Sequence, residues 1–205
     1  MEYKGKAAAR FEVVNRSDFP VQVILEARSF DVTLEGKPVF RPLDDRIQLK
    51  LSSMSFRIPP QGSHYVFYKA TTDTLPAWFV IYSTLRGLRS QEGMNLAIEL
   101  PHTVYLLQKE PLGREDVRLS SAEFLPGEKK LVVELENPSA RLGRVLTVNL
   151  GEGQNRQTVG GFPLMPAGRR RIVVDWTQAG TPGKVEVRFR KFTLKKEVLV
   201  RSSGQ

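Results

Sequence analysis

Apolar residues recur at every second position along almost the whole chain, in runs too short for helices. Phe11 and Val13, then Val21, Val23 and Leu25, sit between polar neighbours. Val132 and Leu135, then Val145, Leu146, Val148 and Leu150, and later Val185, Val187 and Phe189, read the same way. A period of two places alternate side chains on one face of a strand. The runs are rich in Val, Ile, Phe and Tyr and end on Gly, Pro, Asn or Asp, which are strand and turn signals. The longest helix candidate, Leu75 to Leu88, opens on Pro76, and its Phe79, Ile81 and Tyr82 favour strand. The expectation is therefore an all-β fold of sandwich type, with a strand about every 8–12 residues.

The chain also repeats itself. Phe56-Arg57-Ile58-Pro59-Pro60-Gln61-Gly62 returns as Phe162-Pro163-Leu164-Met165-Pro166-Ala167-Gly168. Each copy runs into a strand, Tyr65 to Tyr68 and Arg171 to Val174. Each Pro-x-Gly reads as a tight turn in which Pro fixes φ and Gly takes a positive φ. A second echo pairs Phe11 to Ser17 with Val132 to Ser139, where a strand ends on Asn15 or Asn137. The echoes occur in the same order, which predicts two related β-sandwiches over 1–112 and 113–205. The hinge falls at Glu110-Pro111-Leu112-Gly113. A length of 205 residues, with 40% hydrophobic and 26% charged residues, suits two folded domains of about 100 residues each.

Several chemistries lack their residues. With no cysteine in the chain, disulfides, Cys-based zinc sites and thiol catalysis are excluded. His64 and His102 are the only imidazoles, and neither lies in a nucleophile motif. Asp44-Asp45 lacks the further oxygen ligands that calcium needs, and Gly151-Glu152-Gly153 reads as a turn. No catalytic residue, metal site or cofactor is expected, and the reading is not enzymatic. No apolar run reaches the roughly 18–20 residues of a membrane span. Met1-Glu2-Tyr3-Lys4 has no apolar stretch of signal type, so the chain reads as cytosolic or as the processed part of a longer precursor.

Charge is uneven. Residues 1–112 carry 14 basic and 12 acidic side chains, and residues 113–205 carry 17 and 10. The basic density lies in Arg169-Arg170-Arg171 and in Arg188 to Lys196. The second tract reads as one late strand with Arg188, Arg190 and Lys195 outward and Phe189 and Leu194 inward. Either it binds an anionic polymer or it is a solvated basic edge. The second is favoured, because single-strand platforms expose their aromatics and this pattern buries them. Nucleic acid is therefore not the favoured partner.

The most informative segment runs from Gly93 to Lys109. Leu96, Ile98 and Leu100 share one face of an extended strand, and Val104 and Leu106 continue the row beyond Pro101. Proline within a strand pattern points to an edge or a bulge. A long apolar edge is a liability unless another chain pairs with it.

Taken in order, these features resemble the periplasmic pilus (fimbrial) assembly chaperones of the PapD type. They are the Phe11-to-Asn15 strand and turn, Pro60-Gln61-Gly62 before Tyr65-Val66-Phe67, Leu75 to Tyr82, Leu96 to Leu107, Leu131 to Ser139, and Phe162 to Gly168. The resemblance implies two immunoglobulin-like domains, a periplasmic location and a non-enzymatic role. The partner would be an exported pilus-like subunit capped by a lent edge strand, with an outer-membrane usher as a further partner. It assigns the strand-lending row to Leu96, Ile98, Leu100, Val104 and Leu106. The family anchors the subunit's carboxylate with two basic residues. Tyr105 stands where the second is expected, which leaves Lys6, Arg10 and Lys109 as candidate anchors. The rival reading is a two-domain adhesion or scaffold module that contacts an anionic surface through its basic second half.

Overall fold

The computed structural model describes residues 1–89 and 95–201. The chain divides into two compact units, Met1–Asp31 with Val39–Lys109, and Val32–Pro38 with Glu110–Gln205. Each unit is an immunoglobulin-like β-sandwich with its own core.

The first unit is built from β1 (Glu2–Lys4), β2 (Lys6–Val14), β3 (Val21–Val32), β4 (Pro38–Pro42), β5 (Gln48–Leu51), β6 (Ser55–Ile58), β7 (Ser63–Thr71), β8 (Ala77–Arg89) and β9 (Asn95–Leu107). One sheet has the order β1-β9-β8-β3-β4, with β6 also on β3, and the other is β2-β7-β5. Strand β1 runs parallel to β9, and the chain passes to the opposite sheet at Gly5, whose φ of 74° suits glycine. Between the sheets lie Val21, Val23, Ile58, Val66, Phe79, Ile81, Val104 and Leu106, all closed to solvent. The Leu75-to-Leu88 stretch is strand β8 for most of its length, as its aromatic and β-branched residues predict.

The second unit comprises β10 (Arg118–Leu125), β11 (Lys130–Asn137), β12 (Gly143–Glu152), β13 (Asn155–Leu164), β14 (Gly168–Asp175), β15 (Lys184–Arg188), β16 (Thr193–Glu197) and β17 (Leu199–Val200). Its sheets are β14-β11-β10-β17 and β13-β12-β15-β16. Along β11 the inward residues are Leu131, Val133, Leu135 and Asn137. Val132 therefore lies on the opposite face from Leu135, and Leu146 is exposed between the buried Val145 and Val148 of β12. Trp78 is half-buried, Phe79 buried, Phe162 half-buried and Trp176 buried, as their places beside apolar strands predict.

The two repeated motifs meet in space, once in each unit. Asn15 Nδ2 donates to Pro59 O at 2.9 Å and to Phe19 O at 2.8 Å, while its Oδ1 accepts from Ser17 N and Oγ. Asn137 repeats this with Met165 O at 2.8 Å, Arg141 O at 2.7 Å and Ser139 N and Oγ. Within each Pro-x-Gly turn the left-handed residue is the central one, Gln61 at φ 55° and Ala167 at φ 48°. The glycines serve close approach instead. A Cβ on Gly62 would meet Pro59 Cγ at 2.9 Å, and one on Gly168 would meet Met165 O at 2.9 Å.

The tract Arg188 to Lys196 is a hairpin and not one strand. Strands β15 and β16 pair with Val187 opposite Leu194, and Phe189 N donates to Phe192 O at 2.8 Å across the turn. Phe189 and Phe192 stack across that turn with ring centroids 4.5 Å apart.

Candidate functional site

Strand β9 changes character along its length. Near its end Val104 to Leu106 are buried, whereas every residue from Leu96 to Leu100 is exposed. Leu96, Ile98 and Leu100 are 41%, 42% and 47% exposed, yet they continue the same face as Val104 and Leu106, both at 0%. His102 stacks on Phe11 of β2 at 4.6 Å, and Val104 and Leu106 belong to the core cluster while Leu96, Ile98 and Leu100 do not. The expectation for Val104 and Leu106 is corrected here. They fill the unit's own core, so a second chain has no access to them, and the accessible apolar row is Leu96, Ile98 and Leu100.

The strand's outer edge changes at the same place. Tyr105 N donates to Met1 O at 2.8 Å, Thr103 O accepts from Met1 N at 2.5 Å, and Leu107 O accepts from Gly5 N at 3.0 Å. Odd-numbered residues thus turn their backbone groups away from β8. By the same alternation Ala97 and Glu99 aim an N–H and a C=O outward, and Pro101 a C=O alone. Pro101 therefore removes no bond from the β8–β9 ladder, which explains a proline within a regular strand. Among the described residues no strand pairs with this edge from Leu96 to His102. Such an edge can accept another strand through main-chain bonds while the apolar row meets its side chains. Gly93 and Met94, which open the sequence segment, lie outside the described residues.

A polar chain marks the junction between the buried and exposed parts. Tyr3 Oη and Tyr68 Oη lie 2.9 Å apart, and Tyr68 Oη lies 3.1 Å from His102 Nε2. Burial raises the Tyr68 hydroxyl well above its ordinary range, helped by the bond with Tyr3, and burial holds His102 below its usual value. No group of acids, histidines or cysteines among the described residues could hold a metal ion.

The candidate anchors fall elsewhere. Lys6 and Arg10 are exposed on the outward face of β2, in the sheet opposite β9, and Lys109 is exposed beyond the end of β9. Tyr105 is buried, on the face of β9 away from Val104. Arg169 and Arg171 both bind Glu134, at 3.0 Å and 2.7 Å, and Arg170 lies over the Phe162 ring at 5.0 Å. The triple arginine is thus largely occupied within its own unit. Alternation in β7 carries the signal for an unforeseen surface, Tyr65, Phe67 and Lys69 outward, but its neighbours come from distant sequence.

Among solved structures, the chain is similar to several pilus and fimbrial chaperones. The chain is 14% identical to the CupB2 chaperone of Pseudomonas aeruginosa, covering 96% of both chains with a TM-score of 0.52. It is 13% identical to a chain in the Salmonella enterica SafA pilin complex with the SafB chaperone, covering 96% of this chain and 91% of that one, TM-score 0.56. It is 11% identical to a chain in the CsuC–CsuE chaperone–tip adhesion subunit complex of Acinetobacter baumannii, covering 98% and 95%, TM-score 0.53. No family model and no curated protein matches the sequence. At these identities the likeness is one of fold: the chain has the two-sandwich fold of the pilus-assembly chaperones.

Proposed function

We propose that this protein is a non-enzymatic, periplasmic assembly chaperone that caps an exported pilus-like subunit by lending it the outer edge of β9. The observation that carries the reading is the coincidence, over Leu96 to Leu100, of an exposed apolar row with an unpaired strand edge. Main-chain bonds supply affinity, and the alternate side chains supply selectivity. A subunit groove would remove Leu96, Ile98 and Leu100 from water, each worth up to about 1.5–3 kcal/mol on full burial. An outer-membrane usher is the expected recipient of the capped subunit. The solved complexes with a pilin and with a tip adhesion subunit support a protein partner of this kind. The rival, an anionic surface held by Arg169, Arg170 and Arg171, is disfavoured by the ion pairs those side chains already make with Glu134.

Co-expression with a candidate subunit and affinity capture tests the reading. Ile98→Asp places a charge where a dry groove closes, at a cost larger than binding can recover. It should abolish capture while the free protein keeps its thermal midpoint. Capture that survives Ile98→Asp but is lost on neutralising Arg169 and Arg171 would establish the rival instead.

A further inference from the structure

The outward face of the β2-β7-β5 sheet carries a concentration of basic and aromatic side chains that strand lending does not use. In register, Lys6 lies beside Thr71 and Gln48, Ala8 beside Lys69 and Lys50, and Arg10 beside Phe67. Four cations thus fall within three adjacent rows, where direct neighbours stand about 5 Å apart and diagonal ones about 7–8 Å. All four are exposed, as are Tyr65 at 45% and Phe67 at 53%. Lys50 and Lys69 are directly opposite one another, an arrangement that like charges disfavour. No described ion pair involves Lys6, Arg10, Lys50 or Lys69, although Glu12 shares their face. Elsewhere the arginines find acids, as Arg28 does with Glu26 and Arg46 with Asp44. Ala8, lacking a long side chain, leaves a shallow depression of about 650 Å³ bounded by Arg10, Lys50, Phe67 and Lys69.

We propose that this face is a second docking surface, which takes an acidic, extended segment of a partner polypeptide. Charge complementarity sets the sign of the partner, since the close cations repel one another until an anion lies among them. The aromatics decide between classes of anion. The Arg10 guanidinium lies 5.0 Å from the Tyr65 ring centre and 6.0 Å from that of Phe67. It therefore competes with a nucleic-acid base for a face of each ring. What remains is a row of donors around a small apolar floor. That suits carboxylates carried on a chain with small apolar side chains between them. The surface belongs to the sheet opposite β9, so it operates whether or not β9 lends a strand.

The test is fluorescence anisotropy with a labelled peptide of alternating Glu and Ala, long enough to span the three rows, against its Gln-for-Glu counterpart. The protein should bind the Glu peptide and not the Gln peptide. Lys50→Glu with Lys69→Glu should weaken binding at least about tenfold. The milder pair Lys50→Gln with Lys69→Gln should act in the same direction with the circular dichroism unchanged. Arg188→Glu with Arg190→Glu makes the same change in net charge at exposed positions of the second unit and should leave binding within about twofold. Equal loss in both charge-reversed pairs would reduce the effect to net charge and overturn the proposal. So would equal binding of the Glu and Gln peptides. Heparin or phosphatidylglycerol vesicles held more tightly than the peptide through Lys50 and Lys69 would assign the surface to another class of partner. Ile98→Asp should leave peptide binding unchanged, which separates this surface from β9.

Discussion

Asn15 and Pro59 are 44 positions apart, and the Asn15 amide donates to the Pro59 carbonyl at 2.9 Å. Asn137 and Met165 hold the same relation in the second unit, 28 positions apart, at 2.8 Å. Both asparagines are almost wholly buried, and each ties the end of its strand to the Pro-x-Gly turn. Both sides of the amide are used, with Oδ1 held by Ser17 or Ser139. A buried amide so satisfied specifies one arrangement of the two turns and no other.

Removing it leaves buried carbonyls without donors. Asn15→Ala and Asn137→Ala should each destabilise by about 2–3 kcal/mol in urea unfolding, near the upper end for an orphaned buried group. Asn→Asp should cost at least as much, because both amide donors are lost and a charge is buried beside carbonyl oxygens.

Gly168→Ala should be more disruptive than Gly153→Ala. The added methyl at 168 meets the Met165 carbonyl oxygen, which is backbone and cannot swing aside, whereas nothing lies within 4 Å of one at 153. Thermal midpoints of the two variants check the order. The positive φ of Gly153 means that its own variant still carries a strain of about 1–2 kcal/mol.

On β9, Leu106→Ala should cost about 2–5 kcal/mol and Leu100→Ala within about 0.5 kcal/mol, although both lie on one face of one strand. Equal losses would mean that the exposed row is packed in solution.

Lys69→Glu places a carboxylate opposite Lys50 and beside Arg10. It should raise stability by about 0.2–1 kcal/mol, and the gain should shrink as salt is added.

His102 gives a pH signature. Its folded-state value lies below the ordinary 6.5, because burial disfavours the imidazolium. The unfolded chain therefore takes up the proton first. Stability should fall as pH drops below about 6.5 and level off once the folded form also protonates. His102→Phe keeps a ring on Phe11 and should flatten this part of the profile in urea unfolding followed from neutral to acidic pH.

Much of the architecture was legible because alternation is local. The strands carrying Phe79 and Val185, Val187 and Phe189 follow from residue type and period two, and the paired Asn and Pro-x-Gly motifs announced two similar units. Other features depend on which distant segments become neighbours. Turn spacing did not reveal that Gln61 and Ala167, rather than the glycines, take the left-handed conformation. That depends on the approach of Pro59 and Met165. The basic excess of the second half suggested a charged surface there, but Glu134 takes up Arg169 and Arg171. Charge counted along a chain does not reveal which acid folds beside it.

Sequence by itself determined the all-β class, the two related units and the apolar face of β9, because strand periodicity and turn chemistry are written in adjacent residues. Tertiary structure alone decided where that face leaves the core. Leu96 and Leu106 are the same residue on the same face, and only what the fold brings over each position leaves one 41% exposed and the other closed to solvent. It also decided that Lys50 should stand opposite Lys69, since strand pairing joins residues that no local pattern relates.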